Sequence, residues 1–202
     1  MIKPERRIKC RVDQLPGVAE VGAFGLNLWR GGGALSPYER LSEDKRREWD
    51  ASELLVERIS ERGLLYVIGN FTKTPTDAGV VVFRRRKRLW PGACQVASRI
   101  DLHQLLLDNP TEGYCYIFAD EALPAETLKA SVEYPQEGKT FLGHSFGLAP
   151  EIYCCIEEAW DRDHLKCVCY RNMLCELLSI VEGVLKAYDL RYEFVGPDDE
   201  IA

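Results

Sequence analysis

Two apolar stretches that lie close together in the sequence constrain the fold more than any other feature. Residues 64–71 read LLYVIGNF, residues 80–90 begin VVVF, and only TKTPTDAG separates them. Its proline and its Asp-Ala-Gly sequence favour a hairpin loop between two strands. Strands that neighbour each other in sequence argue against a design in which strands and helices strictly alternate, and favour the α+β class.

Further strands are predicted at residues 22–29, 114–119, 139–142 and 191–196, where apolar residues alternate or aromatic residues are frequent. A long charged helix is predicted from Ser36, as N-cap, to about Arg62, with Gly63 as its stop. Its inward stripe consists of Trp49, Ser52, Val56 and Ile59.

Four more helices follow from caps and periodicity. One short helix is predicted at 101–107, with Asp101 as its cap, and a second short helix is predicted after Pro124. A third starts at Pro150 and covers PEIYCCIEEAWDR, residues 150–162. The fourth is an amphipathic helix near the C-terminus, whose apolar positions recur every three or four residues from Cys167 to Tyr188.

We therefore predict one α+β domain over residues 1–202, with frayed ends at 1–7 and 197–202. Its mixed, largely antiparallel sheet is packed by the long charged helix and the C-terminal amphipathic helix. Hydrophobic residues make up 46% of the chain and charged residues 29%, which is the balance of a soluble globular protein. No apolar run reaches the length of a membrane span and no secretory signal is visible, so a cytoplasmic location is expected.

Gly143-His144-Ser145-Phe146-Gly147 fits the G-x-S-x-G pattern of a serine nucleophile. This pentapeptide resembles the nucleophile turn of α/β-hydrolases, lipases and thioesterases, which implies Ser145 as the catalytic residue. A base within reach is required, and His164 follows by only nineteen residues, while Pro150 interrupts the helix that should start at the serine. The pattern favours a glycine turn without a reaction; a hydrolase using Ser145 and His164, or Cys154 with His164, stays open as the alternative.

The cysteines lack the spacing of a zinc site. Cys154 and Cys155 are adjacent, Cys167 and Cys169 form C-x-C, and Cys175 follows alone. Zinc knuckles usually place their ligands two to four residues apart in two such pairs. We interpret the cluster as buried core thiols and predict no metal and no cofactor.

A basic run is the strongest candidate for a binding surface: Arg84, Arg85, Arg86, Lys87 and Arg88, followed by Trp90. Five successive cations fit a solvated edge strand or a contact with an acidic surface on another protein. The chain carries 32 acids against 26 bases, a net charge of −6, which disfavours nucleic acid as a partner.

The sequence thus favours a non-catalytic, macromolecule-binding protein of the inhibitor, immunity-protein or adaptor type, because such work needs a surface and no reaction centre. The partner is expected to be a protein, with no membrane involved. The alternative is a small serine hydrolase that uses the GHSFG turn. Nothing in the sequence specifies the oligomeric state.

Overall fold

A computed structural model describes residues 7–13, 21–28, 38–71, 81–82, 90–108, 114–133, 150–158 and 165–196. Within these ranges the strands are β1 (Ile8–Asp13), β2 (Val21–Leu26), β3 (Leu64–Phe71), β4 (Val81–Val82), β5 (Trp90–Val96), β6 (Cys115–Ala119), β7 (Ile152–Glu158), β8 (Leu165–Tyr170) and β9 (Tyr192–Val195). The helices are α1 (Glu43–Ser60), α2 (Arg99–Asp108), α3 (Ala125–Glu133) and α4 (Leu174–Ala187), and two 3-10 turns cover Tyr38–Arg40 and Arg171–Met173.

The nine described strands form one sheet in the order β4-β5-β3-β6-β7-β8-β2-β1-β9. Neighbouring strands are antiparallel except at one edge, where β1 and β9 run parallel. The predicted α+β class with a mixed, largely antiparallel sheet is confirmed. Among the described residues, no helix is long and apolar enough to cross a membrane.

Each face of the sheet carries a buried cluster. The larger cluster joins strand residues such as Phe24, Val67 and Ile156 to apolar residues of α1, α2 and α4. The smaller cluster, on the other side, includes Ile68 and Cys155 together with Leu128 of α3. Since both faces are buried, the central strands are apolar at nearly every position, and β6 is buried along its whole length.

The long helix starts later than predicted and ends, at Ser60, close to the predicted end. It begins at Glu43, where the side chain of Ser42 accepts a hydrogen bond from the Lys45 amide, and not after Ser36, which lies outside the described residues. The four predicted stripe residues are buried, but so are Glu48, Ala51, Glu53 and Leu55, because the helix contacts strands as well as α2 and α4. The inward surface is therefore wider than the predicted stripe.

Gly63 has a steric role that differs from the predicted one. A Cβ at this position would lie 2.2 Å from the carbonyl oxygen of Ala119. Since heavy atoms cannot approach so closely, a glycine is required where the connection from α1 to β3 passes the end of β6.

The prediction of a helix from Pro150 is wrong. Residues Ile152–Glu158 form β7, which is buried between β6 and β8. A short continuous apolar run suits a strand that is buried on both faces as well as a helix, so periodicity alone could not decide. The start of the C-terminal helix was wrong for the same reason: Leu165–Tyr170 is β8, and α4 begins at Leu174.

The two apolar stretches were expected to form a hairpin with each other, but the structure pairs them differently. Strand β3 is antiparallel to β5, with Phe71 opposite Trp90, and β4 (Val81–Val82) also pairs with β5. The predicted strand 80–90 therefore corresponds to two strands, and the residues between them lie outside the described part. Confirmed elements include β3, β6, the helix that follows Pro124, and β9.

Candidate functional site

Most residues predicted to carry function fall outside the part of the chain that the structure describes. Ser145 and His164, the alternative catalytic pair, are among them, as is the basic run from Arg84 to Arg88. Trp90 opens β5, where its backbone pairs with Phe71. The predicted catalytic and basic sites therefore stay predictions.

A β-bulge in β7 places one residue of a cleft that lies within the described part of the chain. Phe118 pairs with Cys154, but the next residue, Ala119, pairs with Ile152, so Tyr153 is an extra residue in β7. A bulge redirects side chains, and Tyr153 belongs, like Cys154, to the cluster that faces α1. Its hydroxyl donates to the carbonyl oxygen of Ile59 at 2.8 Å, which ties the bulge to the last turns of α1.

The cleft opens where β6 and β8 end and β7 begins. It has a volume of about 580 Å³, and its walls contain Arg62, Asp120, Tyr153, Tyr170, Arg171, Asn172 and Met173. We call it the Arg62–Arg171 cleft. Tyr153, which is 2% exposed, and the buried Met173 provide its apolar part, whereas Arg171 and Asn172 are exposed at its rim.

Arg62 is held in place from three sides. Its Nε lies 3.4 Å from Oδ1 of Asp120, its Nη1 lies 3.8 Å from Oε2 of Glu176, and its guanidinium carbon lies 5.5 Å from the centre of the Tyr153 ring. Both ion pairs are about half exposed, so each contributes little to stability. Together with the cation–π contact they fix the orientation of the guanidinium group.

Arg171 differs from Arg62. Among the described residues, no carboxylate lies within ion-pair distance of its guanidinium group. It belongs to the 3-10 turn that connects β8 to α4, and neither this turn nor α4 has a side-chain cap at its N-terminus. At the rim, Arg171 therefore presents a positive charge that no described carboxylate pairs, and the neighbouring Asn172 presents an amide.

A second polar group lies between α1 and α2, away from this cleft. Glu53 is 1% exposed, and its carboxylate accepts hydrogen bonds from Nε1 of Trp49 and from Nδ1 of His103, at 2.9 and 3.0 Å to the two oxygens. The side chain of His103 is 33% exposed, and its ring meets that of Tyr38 edge to face. Nearby, the Tyr38 hydroxyl donates to Asp50, and burial followed by this hydrogen bond raises the pKa of Tyr38 to about 12.

The buried carboxylate determines the form of the imidazole. Because a carboxylate only accepts hydrogen bonds, the hydrogen of a neutral His103 ring resides on Nδ1. Nε2 is then left with a lone pair and can accept a proton or a hydrogen bond. A carboxylate and an imidazole that it orients are two of the three parts of a nucleophile–base–acid arrangement.

The interpretation of the cysteine cluster as core thiols is confirmed for four of its members and is wrong for Cys175. Seven of the eight are buried and Cys175 is exposed. Cys154 and Cys167 lie on neighbouring strands with their sulfur atoms 3.4 Å apart, and burial raises the pKa of the Cys167 thiol well above its usual value. In the described part of the chain, no group of three histidine, cysteine or acidic side chains could hold a metal ion.

Sequence reasoning missed both groups. Tyr153 lay in a segment predicted to be helical, and the residues around it give no sequence signal of a β-bulge. Glu53 was not among the predicted inward residues of α1, although it follows Trp49 by four residues and so lies on the same side of the helix. A carboxylate placed on an apolar stripe is the signal that could have identified the Glu53–His103 pair.

The molecule is thus an α+β protein with a polar cleft at one end of a largely antiparallel sheet. Comparison with known proteins adds no relative: no protein family, curated protein or solved structure matches the chain.

Proposed function

We propose that this protein is a non-catalytic protein-binding module of the inhibitor, immunity-protein or adaptor type, and that it contacts its partner at the Arg62–Arg171 cleft. One observation carries the proposal: the bulged Tyr153 and the unmatched Arg171 lie in one open cleft. A cytoplasmic location and the absence of a cofactor belong to the same proposal.

The side chains of the cleft support this function. Tyrosine and arginine are enriched among the residues that dominate protein–protein binding energies, and the cleft contains two of each. A volume of about 580 Å³ can take one or two side chains of a partner. The one carboxylate in the lining, Asp120, is paired with Arg62, so this lining offers no free acid or base for proton transfer.

A pull-down with charge-reversal variants tests the proposal. The variant Arg171→Glu should lose the partner that wild-type protein captures, as identified by mass spectrometry from the native host. Arg40→Glu is the matched control, because Arg40 precedes α1 whereas the cleft lies beyond its other end; a helix of 18 residues is about 27 Å long. A partner that survives Arg171→Glu, or that is lost equally with Arg40→Glu, would contradict the proposal.

The basic run remains a proposed second contact. An Arg84/Arg86/Arg88 charge reversal belongs in the same pull-down at low and high salt. Loss of the partner in this variant would extend the surface to the basic run, whereas full retention would confine contact to the cleft. Binding that falls steeply with salt and is competed by nucleic acid would replace a protein partner with a nucleic-acid one.

The Glu53–His103 pair favours a second candidate function, a small serine hydrolase. The alternative stated from sequence was Ser145 with His164; the structure adds an imidazole whose Nδ1 is held by a buried carboxylate. The described sheet argues against the usual scaffold of the resembling families, because it is largely antiparallel.

A fluorophosphonate probe distinguishes the two functions. In a hydrolase the probe labels the folded wild type and spares Ser145→Ala. Loss of labelling in His103→Gln but not in His164→Gln would assign the base to the Glu53–His103 pair, and the reverse would assign it to His164. Absence of labelling in the folded wild type would eliminate this candidate.

A further inference from the structure

The two arginines of the cleft have different roles. Arg62 already contacts two carboxylates and an aromatic ring, so it forms part of the cleft lining and is not the group that binds a ligand's charge. Arg171 has no carboxylate partner among the described residues and is exposed beside Asn172. An incoming negative group would therefore pair with Arg171, since the charge of Arg62 is already balanced by two carboxylates that would repel it.

The same two carboxylates limit what the cleft can accept. Asp120 and Glu176 lie within 4 Å of Arg62 and leave the cleft with about as much negative as positive charge. A phosphate dianion or a polyanion would be repelled by both acids, whereas one carboxylate placed on Arg171 meets less repulsion. Charge thus favours a ligand with a single negative group.

The inner part of the cleft is apolar. Tyr153 and Met173 are buried and form its floor, with the Tyr153 hydroxyl bonded to the Ile59 carbonyl oxygen and the Arg62 guanidinium group near its ring. Tyr170, which is half-buried, is the aromatic side chain of the lining that an inserted group can contact. An aliphatic or aromatic side chain next to the carboxylate would fill this space and remove apolar surface from water.

We infer that the cleft recognises an aspartate or glutamate side chain that adjoins an apolar residue in the partner, with Arg171 pairing the carboxylate and the half-buried Tyr170 packing against its neighbour. The inference rests on the proposed function and specifies the partner's chemistry. Asn172 lies beside Arg171 at the rim and can donate to the same carboxylate.

Titration with matched peptides, followed by backbone amide NMR, tests this recognition. The probes are acetylated, amidated Gly-Phe-Glu-Gly, the same peptide with glutamine in place of glutamate, and the same peptide with lysine. The glutamate peptide should shift amides at 62, 120, 153 and 170–173 and bind about tenfold more tightly than the glutamine peptide. The variant Arg171→Gln should reduce this preference to less than twofold, whereas Arg40→Gln should preserve it.

Three results would overturn the inference: equal binding of the glutamate and glutamine peptides, a preference that persists in Arg171→Gln, or no binding of the glutamate peptide. Saturable binding of inorganic phosphate at the same amides would also refute it, because the ligand would then be a dianion. If the peptides fail while Arg171→Glu still abolishes the pull-down, the cleft remains the contact surface and the partner chemistry is different. If both experiments fail, the proposed function fails as well.

Discussion

The strongest test of the α1–α2 interface is a double-mutant cycle on Glu53 and His103. The perturbations are Glu53→Leu, His103→Leu and the two combined. Glu53 has a side chain that is 2% exposed, whereas that of His103 is 33% exposed, so the two single variants should differ in cost. The side chain that stays behind decides the penalty, because a buried carboxylate without its partner has no access to water.

The magnitudes follow from this asymmetry. His103→Leu leaves the Glu53 carboxylate with Trp49 as a donor and should lower the free energy of unfolding by about 3 kcal/mol. Glu53→Leu leaves an imidazole that water can still reach and should cost about 1 to 2 kcal/mol. The double variant removes both the carboxylate and the imidazole and leaves the Trp49 N–H without this acceptor, so it should also lose about 1 to 2 kcal/mol. The coupling energy is then about 3 kcal/mol.

Urea denaturation followed by far-UV circular dichroism measures these values. Tryptophan fluorescence is less suitable because Trp49 contacts Glu53 directly and its emission would respond to the substitution itself. A loss of 3 kcal/mol corresponds to a midpoint shift of about 1 M urea, for a slope of about 3 kcal/mol/M. The control is Glu61→Gln, which removes an exposed ion pair with Arg58 and should change stability by about 0.5 kcal/mol or less.

Additive losses in the cycle would refute the reasoning. If the double variant is destabilised by the sum of the two single variants, the carboxylate and the imidazole do not act as a pair. A larger loss for Glu53→Leu than for His103→Leu would show that burial does not set the penalty.

Two further predictions use matched positions elsewhere in the chain. Gly63→Ala places a methyl group 2.2 Å from the Ala119 carbonyl oxygen and should destabilise by about 3 kcal/mol, whereas Gly183→Ala, with no atom within 4 Å in the middle of a helix, should stabilise by about 0.5 to 1 kcal/mol. Equal effects in thermal melts would contradict the close approach of residue 63 to β6. In the native protein one thiol, Cys175, should react rapidly with a disulfide reagent and the other seven only after unfolding, and Cys175→Ala should abolish the fast phase. Two or more fast thiols in the wild type would refute the burial of the cysteines.

The sequence predicted the fold class because local patterns and the fold agree in several segments. The strands at 64–71 and 114–119 are rich in β-branched and aromatic residues, and the final strand is short and clearly bounded. The helix after Pro124 follows from the proline at its start. These signals involve neighbours in sequence and do not depend on the rest of the molecule.

The errors concern segments whose environment comes from distant residues. The run Ile152–Glu158 is apolar on both sides because β6 and β8 flank it and both faces of the sheet are covered. Such a run has neither the period of a surface helix nor that of a half-buried strand. Only its β-branched and aromatic residues could have favoured a strand, and the proline at 150 outweighed them.

The candidate site could not be predicted for a related reason. The position of Tyr153 depends on a register shift against β6, which is a property of two strands together. Arg62 and Arg171 are 109 positions apart in the chain, and they line one cleft because α1 and β8 end close together in the fold. The sequence shows that these side chains are tyrosines and arginines, but it does not show that they lie in one cleft.

The pairing of the outer strands has a consequence for the order in which the protein assembles. Strand β2 pairs with β8, and β1 pairs with β9. In each pair, well over a hundred residues separate the two strands in the sequence. In contrast, β3 and β5 to β8 pair with strands near them in sequence. Closing long loops costs entropy and slows folding. A nascent chain on the ribosome can therefore pair its central strands before the β1–β2 hairpin joins the sheet. The Arg62–Arg171 cleft depends on neither outer strand, because its lining comes from residues 62–173, and it can therefore be complete before the β1–β9 edge has formed.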